Sequence, residues 1–159
     1  MSIFTEISEE SFETSSKAIR PVYVFYWVAA DKDGNIALFD NEGFGEVPRT
    51  VFGNKEEFLY ALRVTTDELL IASKSDYECF MCDSKLAMRA DEKALAQKGV
   101  AFYDGPNAEV SEYLLQLSPR NKLNLKCLPM RARKFFEAVG RADCIFSSTM
   151  ELEPTDYWE

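Results

Sequence analysis

The chain is 159 residues long, 47% hydrophobic and 28% charged, with a formal net charge of −9. Such a chain buries a sizeable core without disulfide or metal staples, so wholesale disorder is excluded and one domain spanning 1–159 is the simplest reading. Histidine is absent, which removes Ser-His-Asp and Cys-His catalysis, HExxH zinc sites and any unperturbed switch near neutral pH.

Residues 1–20 are rich in Ser and Glu, with Phe4, Ile7 and Phe12 as apolar anchors. They read as a short helix or a surface arm. "MSIFTEISEESFETSSK" is acidic where a secretory signal is basic. No run approaches 18 apolar residues, so no membrane span is expected and the expected location is the cytoplasm. The four cysteines then read as reduced thiols.

Val22–Ala30 is dense in aromatic and β-branched residues and predicts a strand. "DKDG" (Asp31–Gly34) is a turn signal, and Ile36–Asp40 reads as the returning strand of an antiparallel hairpin. The turn does not fit a calcium loop, because an EF-hand needs glycine at position six and helical flanks. "DNEGFGEVP" follows. As a dinucleotide fingerprint it fails, since Pro48 stands where a third glycine belongs and no helix opens directly after it. It reads instead as a turn shaped by Gly43 and Gly45, with Pro48 stiffening the exit.

"NKEEFLYAL" predicts a helix with Asn54 as N-cap and Glu57 as capping-box partner. Glu68–Ala72 reads as a short strand. Cys79 and Cys82 form a CxxC, with burial of ordinary thiols, a metal site and a redox pair all open. A four-ligand zinc site lacks a second knuckle, because Cys127 and Cys144 are seventeen residues apart. No metal and no cofactor are expected, with Cys79 and Cys82 as the alternative metal ligands.

Ser84–Lys98 predicts a helix ended by Gly99, and Val100–Tyr103 a strand. Tyr113–Leu117 and Leu123–Leu128 read as paired strands across "SPRN". Pro129 suits a first helical position, and Leu128, Ala132, Phe135, Phe136 and Val139 form one apolar face ended by Gly140. Ala142–Ser147 reads as a last strand. Between Pro119 and Arg141, seven basic residues face only Glu137, a local +6 that leaves −15 for the rest of the chain. That stretch is either a helix face paired with acidic neighbours or a patch for an anion or a partner. The acidic remainder repels phosphate backbones, so nucleic acid is not an expected partner.

These elements predict an α+β fold, with a mainly antiparallel sheet built from hairpins and about three helices packed on it. Carboxylate pairs abound, but among 27 acids they carry little information.

"YWVAADKDGNIALFDNEGFGEVP", "GVAFYDG", "YLLQLSPRNKLNLKCLP" and "EPTDYW" together resemble segments of small bacterial proteins of the immunity type, associated with polymorphic and contact-dependent toxin systems. The fragments run from Tyr26 to Trp158, with long unmatched gaps around the CxxC. The resemblance implies a non-catalytic cytoplasmic module that binds and blocks a toxin domain, and it carries no catalytic residues. An acidic surface suits a basic partner. Asp40, Glu42, Phe44, Tyr157 and Trp158 are the candidate contacts, with Phe44 equally suited to covering a core edge. The alternative is a small-ligand-binding protein or an enzyme using carboxylates or the Cys79/Cys82 pair.

Overall fold

The structure, a computed structural model, describes residues 4–5, 7, 9–17, 23–42, 45–72, 79–81, 90–105, 112–154 and 158. It is an α+β fold. Six strands form one sheet: β1 (Tyr26–Ala30), β2 (Ile36–Asp40), β3 (Cys79–Met81), β4 (Ala101–Asp104), β5 (Tyr113–Pro119) and β6 (Glu151–Leu152). Their order is β1-β2-β4-β5-β3, and β6 also pairs with β5. Pairing is antiparallel except between β2 and β4. That parallel step needs a long crossover, and the chain supplies one through α2 (Lys55–Thr65), α3 (Asp67–Ala72) and α4 (Ala90–Gln97). α1 (Glu9–Lys17) precedes the sheet and α5 (Met130–Val139) follows β5.

The β1–β2 hairpin is organised by a carboxylate. Asp31 is fully buried. Its Oδ1 accepts the N–H groups of Asp33 (3.0 Å) and Asn35 (2.9 Å), closing the turn. Its Oδ2 accepts the N–H of Phe146 (3.1 Å), 115 residues away. Ala142 N–H reaches the Ala30 carbonyl and Lys32 N–H the Cys144 carbonyl, so the returning chain also closes the outer edge of β1. The turn motif thus has an inward-facing acid, committed to backbone donors.

Strand alternation sorts the sheet into two faces. One carries Trp27, Phe39 and Tyr103, which are successive cross-strand partners. Their rings stack at 4.1 Å and 5.0 Å between centroids. Each such ring buries about 150–250 Å², and each stacked pair adds on the order of 1 kcal/mol beyond that burial. Tyr113 meets Trp27 and Phe39 edge-on. Its hydroxyl accepts from Trp27 Nε1 (3.1 Å) and donates to the Glu46 carbonyl (2.9 Å). Phe146 and Trp158 pack on the same rings, so the C-terminal segment covers this face. The opposite face carries Tyr26, Leu38, Asp40, Phe102 and Asp104, with α4 against it through Tyr26 and Glu92. Phe4 and Phe12 are buried, on Tyr26 and on Phe52 and Phe58, which anchors the described parts of the N-terminal segment.

The helices expected at 54–62, within 84–98 and near 129–139 are present. Asn54 Oδ1 caps α2 by accepting from Glu57 N (3.1 Å). The Glu57 carboxylate turns instead to Arg131. Residues 84–89 of the alanine-rich helix lie outside the described residues. α5 buries Ala132, Phe135, Phe136 and Val139 as its spacing predicts. Among the described residues no helix is long and apolar enough to cross a membrane.

Three strand expectations are corrected. Glu68–Ala72 is helical. Its short apolar run fits either structure, and Ile71, 85% exposed, suits the outer side of a helix. Lys98 Nζ donates to the Leu69 and Leu70 carbonyls at the end of that helix, where a cation is favoured. Leu123–Leu128 does not pair with β5. Asn124 bends its own backbone by accepting from Lys126 N, and a 3₁₀ turn follows at Leu125–Cys127, a local competition typical of Asn. Ala142–Ser147 is not a strand. The Asp31 carboxylate takes the Phe146 N–H, and the Tyr103 hydroxyl lies against the Phe146 and Thr149 carbonyls. The hairpin expected in the C-terminal third is therefore absent.

Two glycines are fixed by geometry. Gly99 has φ +104° and ends α4. Gly105 lies so close to β2 that an added Cβ would meet the Asp40 carbonyl oxygen at 2.3 Å.

Asp31→Ala should lower unfolding stability by about 3–4 kcal/mol, because it strips three backbone donors of a charged acceptor in a dry site. Urea denaturation with an unchanged slope and a lower midpoint is the readout; a shift below about 1 kcal/mol contradicts this role. Gly105→Ala should cost about 2 kcal/mol or more through overpacking against backbone, measured the same way.

Candidate functional site

The register that stacks the aromatic rings also sets Tyr26, Asp40 and Asp104 in one cross-strand row on the other face. Asp40 and Asp104 are the last residues of two parallel strands. Gly105 permits the close approach that brings them together. Glu42 returns over the row because the chain turns sharply after β2. Its φ is +50°, and its N–H is held by Asp40 Oδ1 at 3.0 Å. Carboxylate oxygens of Asp40, Glu42 and Asp104 lie within 4.8 Å of one another. Asn41 pins the base of this turn, accepting from Phe25 N (2.8 Å) and donating to the Tyr23 carbonyl (2.9 Å).

A fourth acid stands nearby. Glu92 of α4 is buried and accepts from the Tyr26 hydroxyl at 2.9 Å. Like charges side by side in a partly dry site disfavour ionisation. Burial pushes the Asp104 carboxyl above its usual range. A hydrogen bond with Glu42 opposes that rise, the charges of Asp40 and Glu92 add to it, and the Gly105 N–H (3.1 Å) again opposes it.

Such a cluster has three chemical uses. It shares a proton between neighbouring carboxyls, attracts an ammonium or guanidinium group, or supplies oxygen ligands to a hard cation such as Ca²⁺ or Mg²⁺. All three answer the same concentration of negative charge.

The candidate contacts fare differently. Asp40 and Glu42 come together, and Asp104 joins them. Phe44 and Tyr157 lie outside the described residues, as does Gly43. Trp158 is half-buried. Its indole packs on Trp27, Phe39 and Phe146, and its Nε1 donates to the Gly140 carbonyl at 2.9 Å. Gly45 donates its N–H to the Asn41 carbonyl within the turn. Cys79 lies on β3 opposite Pro119, and Cys82 is outside the described residues. Cys144 is buried, and burial pushes its thiol up to about 11, which leaves it a poor nucleophile at neutral pH.

Sequence reading missed Asp104 and Glu92. The available signal was the echo between "LFDN" and "FYDG", two apolar runs each ending in Asp before a turn residue. Only parallel pairing makes the two ends neighbours.

The fold and site thus define an α+β chain whose parallel strand pair β2–β4 ends in a carboxylate cluster. Comparisons with protein-family models, with curated proteins and with solved structures each gave no match.

The raised Asp104 pKa has a definite sign in stability. The folded chain holds this proton more tightly than the unfolded chain, so stability falls as pH rises from the ordinary aspartate value of 3.8 through the raised one. Asp104→Asn removes that loss. Its melting temperature should exceed the parent's at pH 7 by on the order of 1–2 °C, a small effect because solvent screens a half-exposed group. The gap should close below pH 3.8. A gap that is constant with pH would contradict the assignment.

Proposed function

We propose that this protein is a non-catalytic cytoplasmic binding module that captures a basic protein partner through the acidic row Asp40–Glu42–Asp104, as an immunity protein captures a toxin domain. The observation that carries this reading is the convergence of those three carboxylates within 4.8 Å. Three carboxylates gathered this closely attract a cationic side chain of a partner. The net charge of −9 adds long-range attraction, which speeds encounter with a basic surface. The missing histidine fits a protein that acts by occupying a site.

Co-expression with the products of the adjacent genes, followed by size-exclusion chromatography with light scattering, tests the reading. A one-to-one complex is the expected result. Glu42→Lys, at the exposed rim, should slow association about tenfold at low salt, with the difference shrinking as salt rises. No complex with either neighbour, and no rescue of a toxic neighbour, would overturn the proposal.

A further inference from the structure

At the turn end of the β1–β2 hairpin, opposite the carboxylate row along β2, lies a cleft of about 420 Å³ between the turn, the Asn124–Lys126 segment and α5. That volume falls in the range of small-molecule sites. Its character is the reverse of the chain as a whole. Lys126, Arg133, Lys134 and Arg141 line it, against Asp33 and Glu137. Glu137 is already engaged, since Arg141 grips it through Nε and Nη2 at 3.2 and 2.7 Å. Arg131, on the neighbouring side of α5, is likewise committed to Glu57 and to the Tyr60 ring. Lys126, Arg133 and Lys134 make no ion pair among the described residues.

The decisive group is Arg133. Its Nε is shut off from solvent and has no hydrogen-bond partner among the described residues. A shielded guanidinium N–H without an acceptor is costly; the same side chain lines the cleft, and a planar oxyanion is the acceptor a guanidinium fork matches best. The walls are preorganised. Asn124 Nδ2 donates to the Asp33 carbonyl (2.9 Å) and to Asn35 Oδ1 (3.1 Å), and Leu125 N–H donates to the Gly34 carbonyl (2.8 Å). The packed face of α5 fixes the other side. Leu125 and Met130, the latter 58% exposed, add apolar surface.

We infer that this cleft binds a small molecule bearing a phosphate or carboxylate group, with Arg133 as the anchor and Lys126 and Lys134 as flanking charges. The site is independent of the acidic row, so either reading stands if the other fails.

Titration of the ¹⁵N-labelled chain at low ionic strength with inorganic phosphate, and separately with succinate, tests this by NMR. Saturable shifts are expected at Asp33–Asn35, Asn124–Lys126 and along α5, with a midpoint of about 1 mM or tighter. The Arg133 Nε–H signal should move with them. Saturation by phosphate alone assigns a phosphomonoester class, by succinate alone a carboxylate class, and by both an oxyanion site of either kind. Arg133→Gln and Lys134→Gln should each weaken binding about tenfold or more. Should Arg133→Gln fail to fold, the Lys134→Gln titration and the parent Nε–H shift decide. The inference is overturned if neither anion saturates, if the shifts spread equally to remote lysines such as Lys17 and Lys55, or if folded Arg133→Gln binds like the parent.

Discussion

The buried carboxylate of Asp31 is the constraint on which the rest of the molecule depends. A charge out of water is tolerable only where donors surround it, and here three backbone N–H groups do so. Two belong to the turn and shape the hairpin. The third belongs to Phe146 and draws the C-terminal segment across the sheet. Once that segment is held, Phe146 and Trp158 fall onto the Trp27–Phe39–Tyr103 stack and cover a face that would otherwise expose large rings. One side chain thereby couples a local turn to a backbone group 115 residues away.

The same hairpin separates the charges. β2 begins beside the cationic cleft and ends in the acidic row. The parallel partner β4 is needed for the acidic end, because it delivers Asp104 beside Asp40. Helix α5 is needed for the basic end, because its apolar stripe orients Arg133 and Lys134 along the cleft. Of the two readings of the basic stretch, pairing with acids holds for part of it. Arg131 and Arg141 are paired with acids, while Arg133 and the two lysines line the cavity.

Legibility followed the range of the interactions. The hairpin, the Asn54 cap and the apolar stripe of α5 are governed by residues a few positions apart, and each was readable. The failures arose where a distant group took over the backbone. Asn124 bridges to the hairpin instead of extending a strand, and residues 142–147 make only an isolated bridge at the end of β1 before Asp31 and Tyr103 take over their backbone. Glu68–Ala72 failed for another reason, since five residues are too few for period to separate helix from strand. Asp40 and Glu42 were nameable as acids near a turn, but nothing local linked them to Asp104.

By itself, the sequence determined the α+β class, the absence of imidazole chemistry, the uneven charge and the turn of the first hairpin, all of which rest on composition or on neighbours in the chain. The tertiary structure alone decided that β2 and β4 run parallel, that Asp40, Glu42 and Asp104 meet, and that Arg133 lines a cleft. The physical reason is that a crossover of some sixty residues, from Asn41 to Val100, sets the register of β4 against β2. The packing that fixes that register is shared among elements far apart in the chain.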